Sequence, residues 1–383
     1  MLKKFTVSNY RSFENPITLD FTNVRDYDFN EECIKDGLIN KAVIYGENAV
    51  GKTNLGLAIS DVVTMIPSIR VSTDILIVSH SKSQGFINKN SSDKVAKFEY
   101  VIKIGSNEIL YTYEKFAVGI LYSESLRINN ELLYELNFET GMSNFSNFQN
   151  YSELATLNIE DWDNRMSVLA YVLSHTKLKE LTVLKELESF IKGILISRDF
   201  FSADQISLSE LLSMRIHHIV EYELVSDFEK FLQELSIDIK LKVVTMLDGG
   251  KELYIDYGEE KGQLSFVNYA SSGTLSLAEL YLFVNIFQPT FLYIDEFDAN
   301  FHFGVAKKMF EKFKQKLNCQ TVITTHNTDL MSNAYLRPDC YFIMSPNKIV
   351  NLADATRRKL SIGHDLEILY HAGGFNKLGV DNG

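Results

Sequence analysis

The alternation of apolar and polar positions divides the chain into segments of distinct character. Residues 2–8 and 16–22 alternate with the period of two expected of strands, and residues 42–45 form a short apolar run that stops at Gly46. After it, Leu55, Leu57, Ile59, Val62, Val63 and Ile66 fall at spacings that predict a helix over residues 54–66, ending before Pro67. Four β-rich pieces follow in residues 95–138, punctuated by Gly105-Ser106-Asn107 and Asn129-Asn130, and predict an antiparallel meander. The polar stretch 139–151, rich in Asn and Ser, predicts a loop. Residues 152–235 are helical in character, with Leu178, Leu181, Leu184, Leu187 and Ile191 at helical spacing, but lack the sustained heptads of a long coiled coil. Asp248-Gly249-Gly250 predicts a hairpin turn. The last third returns to α/β alternation: helices over 274–287 and 304–317, strands over 291–294, 321–325 and 340–344, and a short helix over 364–371. There is no internal repeat.

Composition narrows the picture. With 383 residues, 45% of them hydrophobic, the chain can bury a sizeable core and is not a disordered sequence. A net charge of −12 repels phosphate backbones overall, so nucleic-acid binding would require a local basic patch. Candidate lysines and arginines are Lys307, Lys308, Lys312, Lys314, Arg357, Arg358 and Lys359, for which a solvated face is the alternative. Cys33, Cys319 and Cys340 lie far apart without CxxC spacing, which argues against a disulfide framework or a zinc site and for a reducing cytoplasm. No segment reaches the length of about 18 uninterrupted apolar residues, and the opening lacks an export signal, so neither membrane insertion nor secretion is expected.

Four constellations carry candidate chemistry. The segment Gly46-Glu47-Asn48-Ala49-Val50-Gly51-Lys52-Thr53, followed by Asn54 at the start of the predicted helix, matches the phosphate-binding pattern GxxxxGK[ST] in full. Its glycines would let backbone N–H groups close around phosphates, Lys52 would reach the β and γ phosphates, and Thr53 would ligate magnesium. A plain Gly-rich turn is the alternative. The apolar strand 291–294 delivers Asp295 and Glu296 at its C-terminal end, where an open parallel sheet binds ligands. Asp295 would hold magnesium and Glu296 would orient a water and accept its proton, against the alternative of a solvated strand end. His326 follows the strand 321–325 and would meet the γ phosphate or the water, unless it is a capping or core histidine. Tyr269-Ala270-Ser271-Ser272-Gly273-Thr274 opens a helix and would offer N–H groups and hydroxyls to an anion, or act as an ordinary N-cap. His217 and His218 lie in the helical block without partners and read as structural.

Together these motifs resemble the ABC-type ATPases of the RecF, SMC and OLD (overcoming lysogenisation defect) group, and most nearly their stand-alone bacterial relatives in anti-phage defence, such as the ATPase subunit of the PARIS system. The likeness covers residues 1–135 and 235–335, including FTVSNYRSF and YSESLRI. It implies an α/β, ABC-type P-loop ATPase head with an antiparallel β lobe and an inserted helical subdomain. The corresponding division is 1–151 with Walker A and the meander, 152–235 as the insertion, and 236–383 with signature, Walker B and switch histidine. It further implies a homodimer or higher oligomer that sandwiches ATP and Mg²⁺, with Ser271, Ser272 and Gly273 touching the γ phosphate in trans and Asp298 in the loop linking the two sites. Arg11 matches a basic position near the nucleotide, a surface arginine being the alternative. The signature SSGTLSLAEL departs from LSGGQ, and Gln84 is the candidate glutamine-loop residue against a solvated loop position. After His326 the chain is too short for the TOPRIM nuclease domain of OLD proteins. The resemblance therefore implies an ATPase that controls a separate effector protein, a toxin or nuclease, in response to a phage trigger, with no membrane partner. The rival is a RecF-like ATPase that clamps DNA.

Overall fold

Three short runs in which every residue is buried form the centre of the fold: Lys41–Tyr45, Phe291–Ile294 and Gln320–Thr324. Strands buried on both faces suit a parallel sheet covered on both sides. In the computed structural model, which describes residues 1–66, 85–159, 166–197, 208–346 and 348–375, they are neighbours in a six-stranded sheet. Its order is Ile194–Ser197, Phe291–Ile294, Gln320–Thr324, Lys41–Tyr45, Tyr341–Ser345 and Lys348–Asn351, parallel except for the last pair. The register sets Ile294 beside Ile323 and Thr324 beside Ile44, so the three central strands end on one edge.

The predicted meander is present as Ala96–Ile104, Asn107–Ala117, Ile120–Ile128 and Glu131–Asn137. Leu2–Ser8 and Ile17–Asp20 extend it on one side and the short strand Ser143–Asn144 on the other, giving seven antiparallel strands. The stretch 139–151, expected as a loop, thus supplies an edge strand and a 3-10 turn over Ser146–Asn150. Gln320 stitches the two sheets: its side chain accepts from the N–H of Leu2 at 2.8 Å and donates to the carbonyls of Leu2 and Ile39.

The helix Lys52–Ser60 lies between the sheets and is apolar nearly all round, with Leu55, Gly56, Leu57, Ala58 and Ile59 buried. On one side the Tyr100 hydroxyl donates to the carbonyl of Ala58 at 2.8 Å. On the other, Gly56 faces Tyr293 and Ile196. The α-helix stops earlier than expected and continues as a 3-10 helix over Asp61–Met65. There Asp61 accepts from Lys115 Nζ at 2.5 Å and from the Tyr113 hydroxyl at 2.9 Å, and both charged side chains have no solvent exposure. A second buried carboxylate, Glu124, accepts from Tyr111, Tyr134 and the N–H groups of Val168 and Leu169, so it caps the helix Val168–His175. Burial holds its pKa above the usual carboxylate value.

The block 152–235, expected to be helical, also contributes a strand among its described residues. Ile194–Ser197 follows the helix Thr182–Lys192 and forms the edge of the parallel sheet beside Phe291–Ile294. Contacts divide the chain into two compact units, one of Met1–Arg198, Thr290–Asp295 and Cys319–Gly383, the other of Asp199–Pro289 and Glu296–Asn318. All three cysteines are free, buried and in the first unit. The second unit has a three-stranded antiparallel sheet, Leu241–Thr245, Lys251–Asp256 and Gln263–Ser265, whose first two strands form the predicted hairpin. Its longer helices among the described residues are Leu208–Glu221, Val225–Glu234, Ser272–Leu282 and Phe303–Lys316, and a π-helical turn, Phe283–Phe287, extends the third. Rings of Phe228, Phe266 and Tyr281 pack in its core, and a buried Arg215–Glu279 ion pair joins the first and third helices.

A buried ion pair loses most when only one partner is removed, because the other charge is left without compensation. Lys115→Met should therefore lower stability by about 3–5 kcal/mol, while Asp61→Leu combined with Lys115→Met should recover most of that loss in chemical denaturation.

Candidate functional site

The loop between the central strand and the buried helix is shaped by two glycines. Gly51 has φ 110° and Ala49 φ 65°, so the backbone is left-handed at two positions of the loop. A Cβ on Gly51 would come within 2.6 Å of the Phe13 ring, and one on Gly46 within 2.6 Å of the Met344 carbonyl. Glu47, Asn48 and Ala49 are exposed and Val50 is buried, so the crest of the loop faces outward on a buried base.

Lys52 is buried, and its ammonium donates to the loop's own carbonyls of Gly46 at 2.8 Å and Glu47 at 2.9 Å. The same nitrogen lies 3.0 Å from His326 Nε2. An ammonium can only donate, so His326 accepts at Nε2 and its ring proton sits on Nδ1. Tyr293 fixes the start of the helix by donating to the Lys52 carbonyl at 2.6 Å, and burial with Asp295 nearby keeps this phenol well above its ordinary pKa.

Asp295, buried at the end of its strand, is the meeting point of three segments. Its Oδ2 accepts from the Thr53 hydroxyl at 2.5 Å, its Oδ1 from the Thr324 hydroxyl at 2.7 Å, and its N–H donates to the Ser197 carbonyl at 2.8 Å. Thr324 is on the strand between those that carry Asp295 and the loop, which explains how it reaches the carboxylate. The Thr53 hydroxyl and the Asp295 carboxylate are hard oxygen donors and fit a magnesium ion. No cluster of three or more His, Cys, Asp or Glu side chains exists among the described residues, so such an ion would need phosphate and water oxygens to complete its shell.

The segment that contains Arg11 abuts the same loop. Asn54 donates to Ser12 Oγ at 2.8 Å, and Phe13 and Ser12 form the wall against Gly51. Arg11 has φ 49°, is held by Asn88 donating to its carbonyl, and places its guanidinium on Tyr10. Gln84 lies outside the described residues.

The remaining candidates belong to the second unit. Ser271 is the N-cap of the helix Ser272–Leu282, with its Oγ accepting from the Thr274 N–H at 3.1 Å, and Ser271 and Ser272 are exposed. A Cβ on Gly273 would fall 2.6 Å from the Asn300 carbonyl, so this glycine permits a close approach within its own chain. Glu296 is exposed with φ 49°, a conformation costly for a non-glycine residue, and its carbonyl accepts from Ala299 N–H. Asp298 is half-buried in the same loop. His217 is exposed, and His218 packs on Tyr222 and Phe287 and pairs with Glu221.

Sequence patterns missed Thr324, Tyr293, Gly56 and Ser12. Thr324 could have been flagged as a hydroxyl inside a fully buried strand, and Gly56 as a glycine inside an apolar helix. Tyr293 and Ser12 carry no such mark.

Over residues 41–332 the sequence matches the family described as "AAA domain, putative AbiEii toxin, Type IV TA system". No curated protein matches it. The structure is similar to the crystal structure of an SMC head bound to the C-winged helix domain of ScpA, at 14% identity and TM-score 0.51, covering 93% of this chain and 99% of that one. An SMC head with an extended coiled coil, bound to the C-terminal domain of ScpA derived from Pyrococcus furiosus, is 15% identical with TM-score 0.48, covering 97% and 99%. The SMC head domain from Thermotoga maritima is 15% identical with TM-score 0.42, covering 91% and 98%. The first of these likenesses establishes the fold as that of an SMC head.

The packing at Gly56 yields a test with a reversed sign. Gly→Ala inside a helix ordinarily stabilises by about 0.5–1 kcal/mol. Here the added methyl would lie 2.6 Å from two carbons of the Tyr293 ring. Gly56→Ala should instead destabilise by about 1–3 kcal/mol in chemical denaturation.

Proposed function

Because this chain belongs to that family of AAA domains and folds as an SMC head, we propose that it hydrolyses ATP with magnesium at a head-to-head dimer interface and so controls a separate effector in anti-phage defence. The observation that carries the ATPase reading is the convergence of Thr53, Thr324 and Asp295 beside the loop whose Lys52 meets His326. In this reading the loop N–H groups and Lys52 hold the β and γ phosphates. Magnesium, held by Thr53 and Asp295, would supply charge neutralisation on those phosphate oxygens. Glu296 orients a water and takes its proton as the water oxygen bonds to the γ phosphorus and the bond to the β–γ bridging oxygen breaks. His326 steadies the reacting phosphate, and Arg11 adds positive charge at the rim. Ser271, Ser272 and Gly273 of a second protomer close over the γ phosphate, and Asp298 lies in the loop that joins the two sites.

Nucleotide held between protomers makes closure depend on ATP and release on hydrolysis, so the output is regulatory or mechanical. The family's description, which mentions a type IV toxin–antitoxin system, supports an output in toxin–antitoxin defence. Among the described residues no helix is long and apolar enough to cross a membrane.

A specific feature favours a second reading, a RecF- or SMC-like ATPase that clamps DNA. Of the basic residues considered above, Lys308 and Lys312 are engaged by Glu234 and Ser236, and Lys307 lies over Phe303. Arg357, Arg358 and Lys359, however, are consecutive and exposed. Binding through phosphates would weaken with salt on a log–log slope of about −0.9 for each phosphate neutralised.

Glu296→Gln should retain ATP binding but lose turnover, which single-turnover hydrolysis and nucleotide titration would separate; undiminished hydrolysis removes Glu296 from its role. The trans arrangement predicts that mixing Lys52→Ala with Ser272→Glu protomers restores one composite site per heterodimer. Ser272 is the better choice than Gly273, where any side chain meets the Asn300 carbonyl of its own chain. No recovery in freely exchanging mixtures would count against shared sites. Pull-down with the Glu296→Gln protein, ATP and magnesium then decides the output, a stoichiometric toxic protein supporting the effector and duplex DNA supporting the clamp.

A further inference from the structure

The helix Leu366–His371 packs beside the end of the strand that leads into the phosphate loop and bonds to the turn after His326. Leu366 and Phe375 bury its two ends, and the buried Asn333 amide donates to the carbonyls of Ser361, Ile362 and His364 just before it. Gly374 N–H closes the helix on the Leu369 carbonyl at 2.7 Å. So anchored, the helix brings the Tyr370 ring to 6.4 Å from that of Tyr45, the last residue of the strand before the phosphate loop. Burial raises the pKa of Tyr370, and the carboxylate of Glu47 in the loop adds to the effect.

The same helix grips the turn after His326. Thr328 Oγ1 donates to Glu367 Oε1 at 2.7 Å and lies 3.1 Å from His371 Nε2. A hydroxyl that spends its proton on a carboxylate can accept from an imidazole N–H, so the three groups form a directed chain from His371 through Thr328 to Glu367. Thr328 opens the 3-10 turn Thr328–Leu330, which is capped by Asn327 accepting from the Asp329 N–H at 3.1 Å. Asn327 N–H in turn donates to the hydroxyl of the buried Thr325 at 2.9 Å. With Thr325 and Leu330 both fully buried, the turn is bracketed, and a displacement of Thr328 is shared by His326 two residues earlier.

We infer that Thr328 and Glu367 are positioning residues for hydrolysis: they hold the turn that sets His326 against Lys52. The inference rests on the ATPase reading above. It assigns them to the chemical step and not to nucleotide binding, because neither carries a group of the phosphate loop.

Small displacements of a positioned group cost up to about a hundredfold in rate. Thr328→Val and Glu367→Ala should each lower kcat by about ten- to a hundredfold with KM for ATP unchanged. Thr328→Ser, which keeps the hydroxyl, should restore kcat. Residues that act through one bond are not additive, so Thr328→Val with Glu367→Ala should fall no further than either alone. Thermal denaturation run alongside identifies any variant that loses activity by unfolding. Should Thr328→Val do so, Glu367→Ala, in a partly exposed side chain, carries the test. Wild-type kcat in both variants, a loss confined to KM, or additive losses would overturn the positioning role. A wild-type protein that does not turn over ATP would remove the ATPase reading and this inference together. Turnover abolished by Glu296→Gln but indifferent to Thr328 and Glu367 would remove this inference alone.

Discussion

The Asp295 carboxylate, shared between the hydroxyls of Thr53 and Thr324, is the interaction on which the rest of the site depends. A buried carboxylate must be satisfied by hydrogen bonds or a cation. Its two oxygens are satisfied from two different chain segments, at 2.5 and 2.7 Å, and its backbone from a third. The helix that bears Lys52, the middle strand that leads to His326 and the strand Ile194–Ser197 are thereby referred to a single point. The parallel register does the larger work, because it brings three strand ends to one edge, and the carboxylate locks them there.

A second constraint surrounds the helix Lys52–Ser60. It is packed on both sides, so its sequence must answer to two sheets at once. Toward Tyr293 it has no room for even a methyl group, and toward the antiparallel sheet its carbonyls receive a buried tyrosine hydroxyl. The buried Asp61–Lys115 pair fastens its end to the meander. Through this helix the antiparallel sheet, which contributes none of the candidate catalytic groups, still determines where Lys52 stands.

The local elements were largely legible because their signals are local. Alternation marked the meander, an unbroken apolar run marked the strand before Asp295, and the spacing of Gly46, Gly51, Lys52 and Thr53 marked the loop. Ile194–Ser197 was hidden because four apolar or small residues after a leucine-rich helix look like more helix; only pairing with Phe291–Ile294 makes them a strand. The roles of Thr324 and Glu367 were illegible for a different reason, even though a hydroxyl in a buried strand marks Thr324 as unusual. Their roles arise from neighbours 29 and 39 residues away, Asp295 and Thr328, and no short-range pattern encodes such a meeting. Gly273 illustrates a third kind of gap: the motif was visible, but the Asn300 carbonyl that makes its lack of a side chain necessary was not.

The distribution of thiols has an experimental consequence. Cys33, Cys319 and Cys340 are all buried in the first compact unit, and the chain has no other cysteine. Burial raises the pKa of Cys319 and Cys340, so little thiolate forms while the unit stays closed. The rate at which a thiol reagent labels the native chain is therefore a clock for opening of the phosphate-loop unit, whose core holds all three sulfurs.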